Sequence, residues 1–85
     1  MTPPPSPETV DRVTGVLALF VDADQIDPRA FLVGDLALSW RDRLCLCSEL
    51  EETFQIDIPD QVLTDWETVE DIASTVSEIE RKARR

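Results

Sequence analysis

The sequence predicts an all-helical fold, and three observations carry that reading. Its apolar residues recur at spacings of three and four rather than two. Gly is scarce, Tyr is absent and consecutive β-branched residues are rare, which argues against a sheet. Ser or Thr stands where each long apolar stripe begins, the position of a helix cap. The 85 residues leave room for one domain, and a chain of this size buries only about 60% of the surface it exposes unfolded. The expected division is a disordered Pro-rich arm over 1–6, a helical domain over 7–80 and a basic tail over 81–85.

Three successive prolines keep the arm out of any helix interior. Ser6, Pro7 and Glu8 then supply a cap, a first-position proline and an acid at the positive end of a dipole. Val10, Val13, Leu17 and Phe20 follow at helical spacing, so the first helix is expected over 7–21. From Asp22 to Leu38 the periodicity dissolves into a long loop broken by Pro28 and Gly34, with Ile26, Phe31, Leu32, Val33 and Leu36 as its expected apolar anchors. The second helix is expected from Trp40 to Thr53 or Phe54. At 100° per residue, Trp40, Leu44, Leu46, Cys47, Leu50 and Phe54 share one arc, on which Arg43 and Glu51 intrude. A short turn of helix is expected around Asp60 to Leu63. Thr68-Val-Glu-Asp71 has the form of a capping box opening the last helix, with Val69, Ile72, Val76 and Ile79 on one face.

The net charge is −10, distributed unevenly: residues 1–80 hold 4 basic against 18 acidic groups, or −14, and the tail holds +4. A body of that sign repels phosphate backbones and anionic lipid, so nucleic acid and membrane are not expected partners. Basic protein surfaces are the natural complement. The tail lies at the negative end of the last helix, where cations are favoured. No apolar run reaches the roughly 20 residues that span a membrane, and the first residues lack the pattern of a signal peptide, so a cytoplasmic location is expected. In a reducing compartment Cys45 and Cys47, two apart on a helix, do not pair. With no His, no metal site is expected, because Cys-x-Cys supplies two of the four ligands that zinc takes. Cys45 falls on the polar face as an exposed thiol.

Three blocks of residues resemble the acyl carrier protein family and its peptidyl carrier relatives. These are Leu32-Val-Gly-Asp-Leu36 before helix 2, Leu50-Glu-Glu-Thr-Phe-Gln-Ile-Asp-Ile-Pro-Asp60 after it, and Thr68-Val-Glu-Asp-Ile72 at the last helix. The middle block is the most specific, and the resemblance extends over most of residues 8–80. The resemblance implies a four-helix bundle of three long helices, one short one and a long first loop. It also implies a non-enzymatic carrier of fatty acid, polyketide or nonribosomal peptide biosynthesis. Members of that family carry a thioester on a phosphopantetheine arm, attached to the serine of an Asp-Ser-Leu motif where helix 2 begins.

Counted without gaps from either side, that motif falls on Ser39, Trp40 and Arg41, and all three positions differ. Two readings follow. In one, Trp40 stands in place of the attachment serine, the chain takes no arm, and Ser39 caps helix 2 in a box with Asp42. In the other, phosphopantetheine is carried on Ser39 in a register shifted by one. A residue inserted inside the helix would turn all that follows by 100° and spoil the buried face of Leu46, Leu50 and Phe54, which favours the first reading and no cofactor.

Trp40 is expected to lie over the gap between helix 2 and the short third helix, with an exposed partner anchor as its alternative. The family's enzymes dock a basic patch on an acidic helix 2. Here Arg41 and Arg43 oppose such a patch, Cys45 and Ser48 replace larger or acidic residues, and Glu49, Glu51 and Glu52 remain. The expected partner surface is therefore Trp40, Arg41, Arg43, Cys45, Glu49 and Glu52, meeting basic surfaces of biosynthetic enzymes. By family analogy a monomer is expected. No catalytic residues are assigned, because the chain offers no nucleophile with a base and no glycine-rich phosphate loop. Asp22-Ala-Asp-Gln-Ile-Asp27 lacks the central glycine and terminal glutamate of a calcium loop.

Overall fold

In a computed structural model the described residues are 5–83, so the start of the Pro-rich arm and the last two arginines lie outside them. They form α1 (Pro7–Leu17), a single 3-10 turn (Ala23–Gln25), α2 (Trp40–Phe54), α3 (Asp60–Leu63) and α4 (Val69–Ala83). The result is the all-helical bundle read from the sequence. Helix α1 packs on both α4 and α2, and α2 packs on α3.

The starts of α1 and α4 are set by side chains. Ser6 accepts the Thr9 N–H ahead of Pro7. Thr68 accepts the Asp71 N–H, while the Asp71 carboxylate accepts the N–H groups of Glu67 and Thr68. Helix α1 ends at Leu17, four residues short of the expected boundary. The chain tightens there, with Leu19 donating to Val16 and Phe20 to Leu17, and such i to i−3 bonds end regular helix. At the other end α4 runs through Arg81 and Lys82 to Ala83, and Lys82 lies 3.5 Å from Glu78 one turn back.

One core unites the helices: Val13 and Leu17 of α1, Leu46 and Leu50 of α2, Leu63 of α3, and Val69, Ile72 and Val76 of α4 are all fully buried. Trp66 joins it with its indole satisfied, donating to Thr75 Oγ1 at 3.0 Å. The long loop closes the bundle as a docked segment. Leu32 donates to Glu67 O, Val69 to Ala30 O and Glu70 to Pro28 O, stitching the loop to the start of α4 around a bridge between Phe31 and Thr68. Its anchors are Ala30, Leu32, Leu36 and Leu38, with Ile26 packed alongside. Phe31 and Val33, expected inside, are 53% and 61% exposed. Residues 32–36 form a turn, closed by the N–H groups of Asp35 and Leu36 donating to Phe31 O, which buries Leu32 and Leu36 and leaves Phe31 and Val33 outward. Among the described residues, no helix is long and apolar enough to cross a membrane.

Candidate functional site at the start of helix α2

The site is built where the docked loop turns into α2. Ala37 adopts a left-handed conformation (φ 54°), a geometry that costs a residue with a Cβ about 1–2 kcal/mol. Its neighbours hold it: Leu36 and Leu38 are buried on either side, Ala37 N–H donates to Val33 O and Leu38 N–H to Leu32 O. The strained residue thus aims Ser39 and Trp40 outward at the head of α2.

Ser39 is the N-cap. Its hydroxyl accepts the Asp42 N–H at 3.1 Å, and its own N–H donates to Asp42 Oδ2 at 3.0 Å, completing the reciprocal box. Two N–H groups that α2 would otherwise leave free are satisfied in this way. Ser39 is exposed, so its hydroxyl combines solvent access with a structural bond.

Trp40 is 44% exposed, while Leu46 and Cys47 of α2, Leu63 of α3 and Ile58 between them are buried. The indole lies against Arg43, whose guanidinium carbon is 5.1 Å from the ring centroid. Residues three apart on a helix are neighbours, which makes this stacking a local consequence of the sequence. Arg43 is half-buried, and its Nε is shielded from solvent with no hydrogen-bond partner. Leu44, expected on the apolar arc, is 38% exposed, one turn beyond Trp40. Arg41 and Cys45 are exposed beside them.

Further along α2 the side chains serve the fold. Glu51 Oε2 accepts the Ile58 N–H at 2.9 Å and so fixes the connection to α3, which explains an acid on the apolar arc. Its other oxygen lies 3.9 Å from Cys47 Sγ. Burial, together with the negative charges of Glu51 and Asp60, pushes the Cys47 thiol up to about 11. Glu49 is half-buried and Glu52 exposed. Arg12 of α1 crosses the C-terminal end of α2, donating to Thr53 O at 3.3 Å with its guanidinium carbon 4.3 Å above the Phe54 ring. Nothing local in the sequence signals that contact, because its partners are 41 residues apart. Of the residues expected to form a partner surface, Trp40, Arg41, Cys45 and Glu52 lie exposed along α2, whereas Arg43 and Glu49 are partly covered.

The indole of Trp40 offers no hydroxyl to bear a phosphodiester, and the hydroxyl of Ser39 is the acceptor that starts the helix. No family model matches the chain. The acyl carrier protein of Picosynechococcus sp. is 33% identical over 73 residues, covering 84% of this chain and 90% of that protein. The acyl carrier protein of Helicobacter hepaticus is 32% identical over 71 residues, covering 81% of this chain and 93% of that one. With likeness at this level over nearly the whole of both relatives, and with the helical bundle described above, the chain belongs to the acyl carrier protein family.

Proposed function

We propose that this chain is a non-enzymatic, acyl-carrier-like protein of fatty acid, polyketide or nonribosomal peptide biosynthesis that takes no phosphopantetheine and works by protein contact in the cytoplasm. The observation that supports it most is the exposed Trp40 at the position of the family's attachment serine, next to a Ser39 engaged as helix cap. An exposed tryptophan stacked with an arginine is the kind of pair that anchors an interface. Arg41 and Arg43 oppose the basic patches that would meet an acidic helix, while Glu49 and Glu52 still attract them, so the surface selects among enzymes by charge.

A second reading is favoured by the exposure of Ser39: its hydroxyl faces solvent and could bear the arm while its lone pair caps the helix. Incubation with coenzyme A and a broad-specificity phosphopantetheinyl transferase, followed by intact mass measurement, separates the two. The proposal expects an unchanged mass. An added phosphopantetheine that disappears in Ser39→Ala would establish the second reading in its place.

A further inference from the structure

We infer that the partner segment received at the head of α2 is an apolar side chain held between two carboxylates, with Trp40 and Leu44 meeting the apolar group and Arg41 and Arg43 meeting the acids. The inference rests on the reading of this surface given above and names the chemistry of what covers it. At about 100° per residue, Arg43 lies about 60° to one side of Trp40 around the helix, with Leu44 about 40° and Arg41 about 100° to the other. Trp40 and Leu44 are both exposed, so an apolar strip one turn long is bracketed by a cation on each flank. An apolar centre inside a polar rim is how anchor residues are seated in interfaces.

The chain's own acids leave both arginines available. Among the described residues the ion pair present joins Lys82 to Glu78, and Asp42, the carboxylate between the two arginines, accepts the Ser39 N–H. Arg43 also carries an unmet demand, because its Nε is shielded from solvent and has no acceptor. A donor left in that state is costly, and a carboxylate binds a guanidinium through two parallel N–H groups. A small rotation of Arg43 off the indole brings its Nε edge to the surface, gives the donor its acceptor and frees the Trp40 face for the apolar group. Both arginines stand near the positive pole of α2, where an incoming anion is favoured. The net charge of −10 does not cancel this attraction, since exposed charges more than about 10 Å away are largely screened at about 0.1 M salt. Glu49 and Glu52 attract cations further along, so the two halves of α2 select opposite charges.

Proton–nitrogen NMR of the full chain under reducing conditions tests this with three blocked peptides: acidic Gly-Asp-Phe-Glu-Gly, its neutral counterpart Gly-Asn-Phe-Gln-Gly and basic Gly-Lys-Phe-Lys-Gly. At millimolar concentration the acidic peptide should move the Trp40 indole and Arg43 Nε–H signals. It should bind about threefold or more tightly than the neutral one, the gain expected of two exposed ion pairs. Arg41→Gln and Arg43→Gln should each reduce that preference and together abolish it, while circular dichroism shows the helices intact. Equal binding of the acidic and neutral peptides, a preference for the basic one, or unmoved Trp40 and Arg43 signals overturns the inference. A native chain that gains phosphopantetheine by intact mass yet keeps the acidic preference overturns the contact-only reading and supports this one.

Discussion

The two ends of α2 are built in opposite ways. At the C-terminal end Phe54 is buried, Arg12 lies over its ring and donates to Thr53 O, and Glu51 holds the backbone of Ile58. A cation at the negative pole of the helix, a buried aromatic and a charged hydrogen bond all act together there. At the N-terminal end cations lie near the positive pole, Trp40 and Leu44 remain exposed, and the Nε of Arg43 has no partner. The capping box of Ser39 and Asp42 serves the fold at that end. The difference teaches where the stability of α2 lies: the interactions that hold it collect at one end, and the exposed groups on which the proposed contact rests collect at the other.

The contrast can be broken by truncating the large aromatic at each end. Phe54→Ala should cost about 3–5 kcal/mol in urea unfolding, as buried aromatics do. Trp40→Ala should cost about 1 kcal/mol or less, the worth of an exposed cation–π contact. Equal costs would remove the distinction. Glu51→Ala, which leaves the Ile58 N–H without its acceptor, should cost about 1.5–3 kcal/mol by the same assay. Ser39→Ala tests the one structural role assigned to the N-terminal end, and should cost about 0.5–2 kcal/mol.

The smallest effect concerns the two thiols. Cys45 is exposed and Cys47 buried, so a thiol-specific reagent at neutral pH should label the native chain once, and not at all in Cys45→Ser. Folding raises the Cys47 thiol from 9.0 to about 11, which means that the native state favours its neutral form. The associated stability is present in full below pH 9 and is lost as pH rises toward 11. In alkaline unfolding curves the stability of the native chain relative to Cys47→Ala should fall with pH across that window, on top of a pH-independent difference from the lost buried side chain.

Much of the fold was legible because its signals are local. Caps at Ser6, Ser39 and Thr68, together with helical spacing after each, place α1, α2 and α4, and Ile58-Pro59-Asp60 marks the start of α3. The end of α1 and the facing of Phe31 and Val33 were not: the chain tightens after Leu17 although the apolar spacing continues to Phe20, and the facing depends on how the loop docks against α4 through Leu32 and Val69. In the site, the capping role of Ser39 follows from four consecutive residues. The position of Trp40 does not. A helical wheel puts it at the edge of the apolar arc, and its 44% exposure is decided by tertiary packing that periodicity does not encode. Arg12 over Phe54 is a contact between distant segments for which no pattern in the chain gives notice.

The central claim, that the head of α2 has exchanged an attachment site for a contact surface, is tested most directly by restoring the family motif. Intact mass after treatment with coenzyme A and a phosphopantetheinyl transferase should stay unchanged for the native chain. It should rise by one phosphopantetheine for the combined variant Ser39→Asp, Trp40→Ser and Arg41→Leu. A native chain that gains the arm under the same conditions, and loses it in Ser39→Ala, would contradict the account.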